Sequence, residues 1–348
     1  MVEINGRRIG PGNPCFVIAE AGVNHNGDLA VALELVRRAA ECGADAVKFQ
    51  TFRAERVATA GARKAAYQLA NTKPGESQID MLKALELSEE VHVELIDACN
   101  AAGIIFLSTP YNVEDIEMLD RLGVPAFKIA SGQIVELAFL DAIRRTERPA
   151  LLSTGMASLG EVERAISVFG DQRDRLVVLQ CTTNYPSPVC DANLRAMLTM
   201  RDAFGVRVGY SDHTAGMSAA IASVALGACV VEKHFTLSRS MPGPDHSSSA
   251  EPAEFAELVR SIRDVEAALG TPMKRPTDSE LLNRPQMRRS IVARVAIPAG
   301  LVLTDSMVTF KRPGTGISPA KLNDVVGRSA LVPIAADEFI TWAKISPV

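Results

Sequence analysis

Eight short apolar segments of this chain each end in polar residues, and the order is the same every time. A parallel strand that is buried on both faces reads as a continuous apolar run. Enzymes built on such strands carry their reacting groups at the strands' carboxyl ends. The pattern therefore predicts eight parallel strands whose ends converge on one site. The predicted strands are Phe16–Ala21, Ala46–Thr51, Ile104–Thr109, Ala126–Ser131, Ala150–Thr154, Leu176–Thr182, Arg207–Ser211 and Val230–Phe235.

Segments with helical spacing of apolar residues separate these strands. LAVALELVRRAAECGA keeps its apolar residues on one helical face, and SEEVHVELIDACNAAG begins at Ser88, a favourable N-cap, and ends at Gly103. Strand and helix alternate eight times, which predicts an α/β fold of the (β/α)8 TIM-barrel type. The connection over residues 52–87 is longer than an ordinary βα loop, and we interpret it as a flap over the barrel mouth.

The composition changes after Gly270. Residues 271–287 are rich in Pro, Arg and Lys and are interpreted as a linker. Beyond them, IPAGLVLT is echoed by IAADEFIT, which predicts a small, strand-rich, pseudo-symmetric domain over 288–348. A domain of about 60 residues is marginal on its own, so we expect it to rest on a partner subunit. The barrel is expected to occupy residues 1–270.

Size, charge and cysteine usage restrict the class of protein. The chain has 348 residues, of which 47% are hydrophobic, so it can bury a large core. A net charge of −4 argues against nucleic acid or an anionic membrane as partner. The absence of a long apolar run or a signal-like start predicts a cytoplasmic protein. The six cysteines lack CxxC spacing and are expected to be reduced; Cys181, at a strand end, is either a packed thiol or a nucleophile.

The histidines suggest a metal site. His213 and His234 lie at or just past the ends of two neighbouring predicted strands, which are about 5 Å apart in a sheet. Two imidazoles there could share a divalent cation, with Mn²⁺ favoured over Zn²⁺ by carboxylate or water ligands, although hydrogen bonding to the backbone is the alternative. Asp245 follows in a loop rich in Gly and Pro, and His25 is a third candidate ligand. His92 is expected on the surface of a helix.

Several predicted strands also carry cations to the barrel mouth. Lys48 and Lys128 are interpreted as anion-binding groups, with Schiff-base formation as the rival role. Lys233 alternates with His234, so it is predicted to face outward and to be structural. Ser131 and Ser153 lie near glycines, an arrangement that suits a phosphate or carboxylate. Together these groups suggest a substrate with two negative charges.

Glu20 ends the first predicted strand. A carboxyl group there could act as a general acid or base if burial raises its pKa. It could equally serve as the ionic partner of Lys48, and the two roles are compatible. Gln50 and Thr109 are expected to offer neutral hydrogen-bonding groups at the same level.

Taken in order, these pieces resemble the sialic acid synthase family. The resemblance implies a (β/α)8 barrel followed by an antifreeze-like (SAF) domain, and a domain-swapped homodimer. It also implies condensation of phosphoenolpyruvate with an N-acetylated mannose-type aldose. It covers nearly the whole chain, and the matching stretches are IAEAGVNHNGDL, KFQTF, FLSTPYN, FKIASGQ, LSTGMASL, LQCTTNYPSP, GYSDHTAG, GACVVEKHFTL, GPDHSSSAEP, RRSIVA and KRPGTGI.

The resemblance also implies roles for individual residues. His213 and His234 match the two protein ligands of a catalytic Mn²⁺ or Mg²⁺, and Asp245 matches a polar partner of the metal-bound water or the sugar. Glu20 matches the proposed base, and Arg312 matches an arginine that the swapped domain sends into the neighbouring site. The positions that line the phosphoenolpyruvate and sugar sites are Lys48, Gln50, Thr109, Lys128, Ser131, Ser153, Tyr185 and Ser211.

The implied activity is that of an N-acetylneuraminate synthase. Phosphoenolpyruvate, N-acetylmannosamine and water would give phosphate and a nine-carbon 2-keto acid, with Lys48 and Lys128 holding the donor's phosphate and carboxylate. One departure concerns the sugar, because Thr183 stands where the family often has Asn. A legionaminic or pseudaminic acid synthase, which uses a 2,4-diacetamido-2,4,6-trideoxy hexose, is therefore the alternative. More distant alternatives are a class I Schiff-base aldolase and a non-catalytic carbohydrate- or ice-binding protein.

Overall fold

The structure is a computed structural model that describes residues 2–72 and 75–347. Two residues of the predicted flap, 73 and 74, lie outside the described residues. The chain forms two compact units, Met1–Gly270 and Thr271–Val348. The first unit carries the predicted barrel strands, and the second carries the two echoed segments.

The first unit contains a closed barrel of eight parallel strands, in the order β10-β3-β4-β5-β6-β7-β8-β9. This confirms the predicted (β/α)8 fold, and the observed strand limits agree with the predicted ones to within about two residues. The strands of the whole chain are β1 Val2–Ile4, β2 Arg7–Ile9, β3 Phe16–Gly22, β4 Ala46–Thr51, β5 Ile105–Pro110, β6 Phe127–Ile129, β7 Ala150–Ser153, β8 Leu176–Cys181, β9 Arg207–Asp212, β10 Val230–His234, β11 Ser290–Ala293 and β12 Val308–Lys311.

Helices follow the barrel strands and cover them. The predicted signals act at their ends: the Ser88 side chain accepts a hydrogen bond from Val91 N, and Gly103 ends the same helix in the left-handed region at φ 69°. The helices are α1 Leu29–Glu41, α2 Ala54–Val57, α3 Ala66–Asn71, α4 Gln78–Lys83, α5 Glu89–Ala102, α6 Val113–Arg121, α7 Leu137–Arg145, α8 Leu159–Phe169, α9 Arg195–Phe204, α10 Ser218–Ala225, α11 Pro252–Leu269, α12 Asp278–Met287 and α13 Leu322–Val325.

An N-terminal hairpin precedes the barrel, and the sequence analysis did not predict it. Strands β1 and β2 pair antiparallel around Asn5 and Gly6, which both have positive φ. An Asn-Gly pair between apolar residues favours this kind of tight turn. Val2, Ile4 and Ile9 are buried in the same cluster as residues of the barrel strands, such as Phe16 and Ile18, so the hairpin packs on the barrel interior.

The barrel unit has two buried apolar layers. One fills the space between the strands and the surrounding helices, and it includes Val17, Phe49, Leu95 and Leu140. The other lies on the opposite strand face, inside the barrel. Because successive strand residues point to opposite faces, each strand supplies both layers and leaves its last polar residues at the barrel mouth.

The second unit has its own small core, which includes Ile291, Leu303 and Ile340. Strands β11 and β12 pair antiparallel. The two echoed segments pair with each other, since Ile297 N donates to Ile334 O at 2.8 Å and Ile334 N donates to Ile297 O at 2.9 Å. The pairing is made largely of isolated bridges, so this unit has less regular strand than its sequence suggested.

The predicted linker, residues 271–287, is not entirely irregular. Helix α12 occupies its second half, and the Thr277 side chain caps that helix by accepting a hydrogen bond from Glu280 N at 3.2 Å. The Glu280 side chain accepts in return from Thr277 N at 2.7 Å. Because this capping box stabilises the start of a helix, the second half of the predicted linker is helical despite its Pro-rich composition.

Candidate active site

A cavity of about 660 Å³ opens at the carboxyl ends of the barrel strands. Apart from His25, every site residue predicted within the barrel unit lines it, although these residues are scattered over the sequence. They are Glu20, Lys48, Gln50, Thr109, Lys128, Ser131, Ser153, Tyr185, Ser211, His213, His234 and Asp245.

Four buried charges form the floor of the cavity. Lys48 Nζ lies 2.6 Å from Glu20 Oε2 on the neighbouring strand β3 and donates to Thr109 Oγ1 at 2.8 Å. Glu232 Oε1 lies 3.2 Å from Lys128 Nζ and 3.8 Å from Lys48 Nζ. Two ammonium groups and two carboxylates thus neutralise one another in a place where unpaired charges would be costly.

The two carboxylates have different environments. Burial raises the pKa of Glu20, and Lys48 offsets that effect only in part. Burial alone would also raise the pKa of Glu232, but Lys128 and Lys48 outweigh it and hold that pKa below its usual value. Two carboxyl groups whose pKa values are pushed apart can divide the roles of proton carrier and fixed charge.

The imidazole rings of His213 and His234 have their centroids 5.3 Å apart. His213 Nδ1 donates to the Thr182 carbonyl at 2.7 Å, which leaves Nε2 as the ring nitrogen available to a ligand. His234 Nδ1 is buried, and no described residue makes a hydrogen bond to it. Burial holds the pKa of His234 well below its usual value, so this ring is neutral, as a metal ligand must be.

The donor set fits a divalent cation held by two imidazoles. Two metal–nitrogen bonds of about 2.1 Å each can bridge a ring separation of this size. Within residues 2–72 and 75–347, no group of three or more His, Cys, Asp and Glu side chains is arranged to hold a metal ion. Water or substrate oxygens would therefore have to complete the coordination, which favours Mn²⁺ or Mg²⁺.

Asp245 lies beside the histidine pair. Its Oδ2 lies 3.8 Å from His234 Nδ1, too far for a hydrogen bond. Burial, helped by the negative charge of Glu20, raises the pKa of Asp245 to about 7. A carboxyl group with that pKa can both give and take a proton near neutral pH.

Small hydroxyl groups line another part of the wall. Ser211 Oγ donates to Glu232 Oε1 at 3.2 Å, and Ser131 Oγ accepts from Gly155 N at 3.0 Å. Ser153 Oγ is buried without a hydrogen-bond partner among the described residues. A Cβ at Gly155 would press on the Ser131 and Thr183 hydroxyls, so glycine is needed there for close approach. The wall offers hydrogen-bond donors that suit an anion.

The predicted flap forms the cavity's upper wall. The ring of Tyr67, from helix α3, lies 5.0 Å from that of Tyr185, which in turn lies 4.2 Å from the ring of His213. Asn71 donates to Ser247 Oγ at 2.9 Å and so connects the flap to the loop that carries Asp245. The described part of the flap therefore covers the site.

The family follows from comparison with known proteins. The NeuB family model matches residues 35–274, and the SAF domain model matches residues 288–346. The chain belongs to the NeuB family. The expected antifreeze-like (SAF) domain is thereby confirmed as well, together with the sialic acid synthase resemblance.

Several relatives of this NeuB-family protein are named as synthases, and the chain is an enzyme of that family. An N,N'-diacetyllegionaminic acid synthase from Legionella pneumophila is 45% identical over 349 residues, covering 99% of this chain and 98% of that protein. A human N-acetylneuraminate-9-phosphate synthase is 37% identical over 337 residues, covering 96% of this chain and 94% of that protein. The crystal structure of an N-acetylneuraminic acid synthetase from Leptospira borgpetersenii, 33% identical, superposes with a TM-score of 0.73 and covers 81% of this chain and 94% of that chain.

Several individual predictions need correction or qualification. His92 is fully buried, not on the surface, since Nδ1 lies 2.7 Å from the Ser88 carbonyl and Nε2 lies 2.8 Å from Thr51 Oγ1. His25 does not line the cavity, and its Nδ1 accepts a hydrogen bond from Gly27 N at 2.9 Å. Lys233 is turned away from the cavity, as predicted, but it is buried and paired with Asp212 at 2.7 Å.

Cys181 lines the cavity, and its Sγ lies 3.7 Å from His213 Nδ1. Although burial alone would raise it, His213 lowers the pKa of Cys181 to about 7. This places the thiol in the cavity wall beside His213, and the choice between a packed thiol and a nucleophile stays a prediction. Arg312 lies in the second unit, where its Nε donates to the Met287 carbonyl at 3.2 Å, and its role across subunits stays a prediction.

The sequence analysis missed Glu232, although a signal was present. Alternation along a strand places residues two apart on the same face, so Glu232 shares the face of His234. The flap residues Tyr67 and Gln78 were also missed. No strand pattern marks them, because they lie on short helices inside a long connection.

Proposed function

We propose that this NeuB-family enzyme condenses phosphoenolpyruvate with a 2,4-diacetamido-2,4,6-trideoxy hexose to give an N,N'-diacetyllegionaminic acid. The choice of sugar is supported by sequence similarity, since a legionaminic acid synthase is 45% identical and an N-acetylneuraminate-9-phosphate synthase is 37% identical. This replaces N-acetylmannosamine, the sugar first expected, with the alternative.

The observation that carries the proposal is the position of the His213–His234 pair beside the Lys48–Lys128 cluster in one cavity. A volume of about 660 Å³ is in the range of sites that bind small molecules. The two imidazoles on one side could hold a cation that binds the oxygen of an electrophile. The ammonium groups on the floor could bind an anionic donor. A condensation needs both partners in contact, and the arrangement supports this.

His213 and His234 would hold Mn²⁺ or Mg²⁺. When bound, the cation supplies Lewis-acid polarisation of the sugar's aldehyde oxygen. Thr182 contributes by fixing the His213 tautomer through its carbonyl oxygen.

The lysines would bind the donor. Lys48 and Lys128 each lie within 4 Å of a carboxylate, which holds both side chains on the cavity floor. They would attract the phosphate and carboxylate of phosphoenolpyruvate, while Ser153 and Ser131 offer hydroxyl groups to the same oxygens. This fixes the donor's methylene carbon opposite the aldehyde.

The carboxyl groups would manage protons. The carbon–carbon bond forms between the methylene carbon and the aldehyde carbon, and the aldehyde oxygen takes up a proton from Asp245. Water then adds to the former enol carbon and loses a proton to Glu20, which gives a hemiketal phosphate. The bond from that carbon to the phosphate oxygen then breaks, the hemiketal hydroxyl passes its proton to the departing phosphate, and the 2-keto acid remains. Raised pKa values for both carboxyl groups suit these transfers near neutral pH.

We also propose that the enzyme works as a domain-swapped homodimer in which Arg312 of one subunit completes the partner's sugar site. The small size of the second unit supports this, since its own core is limited to a short set of buried residues. An arginine suits recognition of sugar oxygens because its donors lie in a rigid plane.

A panel assay tests the proposed function. The enzyme is incubated with phosphoenolpyruvate, Mn²⁺ and one hexose at a time: the 2,4-diacetamido-2,4,6-trideoxy sugar, N-acetylmannosamine or its 6-phosphate. Phosphate and 2-keto acid are measured together, and the highest kcat/KM is expected with the diacetamido sugar. Pyruvate trapped on a lysine by borohydride, with activity that survives a chelator, would instead support a Schiff-base aldolase.

A further inference from the structure

Gln78 is a polar residue of the flap that the proposed mechanism leaves without a role. It is the first residue of helix α4 and lines the cavity. Its amide oxygen Oε1 is buried, and no described residue donates a hydrogen bond to it. A buried amide oxygen without a donor is unfavourable. The cavity therefore presents an acceptor that a ligand with an N–H or O–H group can satisfy.

The neighbouring Gln68 shows the contrast. It also lines the cavity from the flap, but its Oε1 accepts from Ala65 N at 2.9 Å. That glutamine oxygen serves the local fold. The Gln78 oxygen accepts no such hydrogen bond within the described chain.

Met81, on the same helix as Gln78, belongs to an apolar patch of the cavity wall. Val23, Phe52, Met81 and Leu85 form a small buried cluster, and all four line the cavity. Met81 lies three residues after Gln78, so helical geometry brings the two side chains to one face of α4. This part of the wall thus combines one hydrogen-bond acceptor with an apolar patch, whereas the cavity floor is charged.

The flap holds Gln78 in place. Ser77 caps α4 by accepting from Asp80 N at 3.1 Å. Lys64 Nζ donates to Glu76 Oε2 at 2.8 Å and to Thr72 Oγ1 at 2.9 Å, which joins the two sides of the flap next to the start of α4. The acceptor is therefore presented by an ordered backbone, as a specific contact requires.

We infer that Gln78 Oε1 accepts the amide N–H of an acetamido group of the hexose, with the acetyl methyl packed on the Val23–Phe52–Met81–Leu85 patch. An acetamido group has a donor and a methyl group close together, which matches an acceptor beside apolar side chains. A hydroxyl group would fill the acceptor but leave the patch uncovered. The inference rests on the proposed function, because it assigns a specificity-determining residue to that same sugar site.

Two variants of the full-length protein test it. Gln78→Met keeps the side chain's length and removes the acceptor, while Gln78→Glu keeps acceptor oxygens. With Mn²⁺ and saturating phosphoenolpyruvate, Gln78→Met is expected to lower kcat/KM for the diacetamido hexose about 30-fold, since an unpaired amide N–H is left behind. Gln78→Glu is expected to retain activity within about threefold, and the KM for phosphoenolpyruvate is expected to stay unchanged in both variants.

The sugars separate the possible acetamido groups. A loss confined to the diacetamido hexose supports contact with the 4-acetamido group, and an equal loss with N-acetylmannosamine supports contact with the 2-acetamido group. Wild-type kcat/KM for both sugars in Gln78→Met would overturn the inference, as would an equal loss in phosphoenolpyruvate binding. If the wild-type enzyme turned over no hexose, the proposed function would fail, and calorimetric Kd values for the same sugars in wild type and Gln78→Met would still decide the role of Gln78.

Discussion

Glu232 and Lys128 form an ion pair across the barrel interior. Strands β10 and β6 stand on opposite sides of the closed barrel, four strands apart, yet Glu232 Oε1 lies 3.2 Å from Lys128 Nζ. Lys48 Nζ, from β4, lies 3.8 Å from the same oxygen. One carboxylate thereby helps to hold two ammonium groups that would otherwise repel each other in a buried place.

Glu232→Gln removes that carboxylate and leaves two buried ammonium groups with Glu20 as their remaining ionic partner. We expect the free energy of unfolding to fall by about 3 kcal/mol, as when one member of a buried pair is removed. Urea denaturation measures this. The double variant Glu232→Gln/Lys128→Met is expected to recover part of the lost free energy of unfolding. An unchanged denaturation midpoint in Glu232→Gln would show that this ion pair does not stabilise the fold.

His213→Ala and His234→Ala should each abolish Mn²⁺ binding and metal-dependent turnover, because each removes one of the two proposed imidazole ligands. Isothermal titration with Mn²⁺ measures binding directly, apart from activity. His92→Gln is the matched control, since His92 is buried behind the site and its replacement can keep hydrogen bonds to Thr51 and Ser88. Wild-type Mn²⁺ affinity in either site variant would rule out the proposed ligand pair.

Lys64→Met should loosen the flap by removing the contacts from Lys64 Nζ to Glu76 and Thr72. We expect the KM for the hexose to rise about tenfold, because mutations that disturb a covering loop weaken substrate retention. The KM for phosphoenolpyruvate, which we propose binds on the cavity floor, should change much less. Steady-state kinetics with each substrate varied in turn provide the measurement, and an equal rise in both values would argue against a flap that contacts the sugar.

The contribution of His25 to the stability of the protein should fall as the pH is lowered from 6.5 toward 4. Burial lowers the pKa of His25 from 6.5 to about 4, so in this range the unfolded chain binds a proton that the folded chain excludes. At pH 5 this one group should cost about 2 kcal/mol of stability relative to pH 7. Urea denaturation at both pH values measures the difference, which should be smaller in His25→Gln; an identical pH dependence in the variant would exclude His25 as a source.

Mixing Arg312→Ala subunits with His213→Ala subunits tests the swapped dimer. If Arg312 acts in the partner's site, each mixed dimer has one intact site, and random exchange should restore about a quarter of wild-type activity. Each variant alone is expected to be nearly inactive. If activity stays at the level of the separate variants after subunits have demonstrably exchanged, Arg312 does not act across the interface.

Much of the fold could be predicted from sequence because each barrel strand carries its own signal. An apolar run that ends in polar residues marks a buried parallel strand, and Gly103 and Ser88 mark helix ends. The N-terminal hairpin was overlooked despite its Asn5–Gly6 turn signal. Helix α12 was missed because Pro and Arg content obscured the Thr277–Glu280 capping box.

The candidate site was predictable only in part. Strand ends gave the lysines, the histidines and the possible pairing of Glu20 with Lys48, which the structure shows, but they did not reveal that Glu232 pairs with Lys128. The burial of His92 behind the site could not be predicted either, because the sequence of an amphipathic helix does not show which residues pack against its histidine. Such facts depend on which strands and helices meet.

The sequence by itself determined the barrel, the order of its strands along the chain and most of the polar groups at its mouth, because apolar runs and helix caps are local properties. Only the tertiary structure decided that β10 faces β6, that the flap brings Tyr67 and Gln78 over the strand ends, and which charges neutralise each other. Those relationships arise from closing the sheet into a barrel, which places residues more than 100 positions apart within hydrogen-bonding distance, as for Lys128 and Glu232.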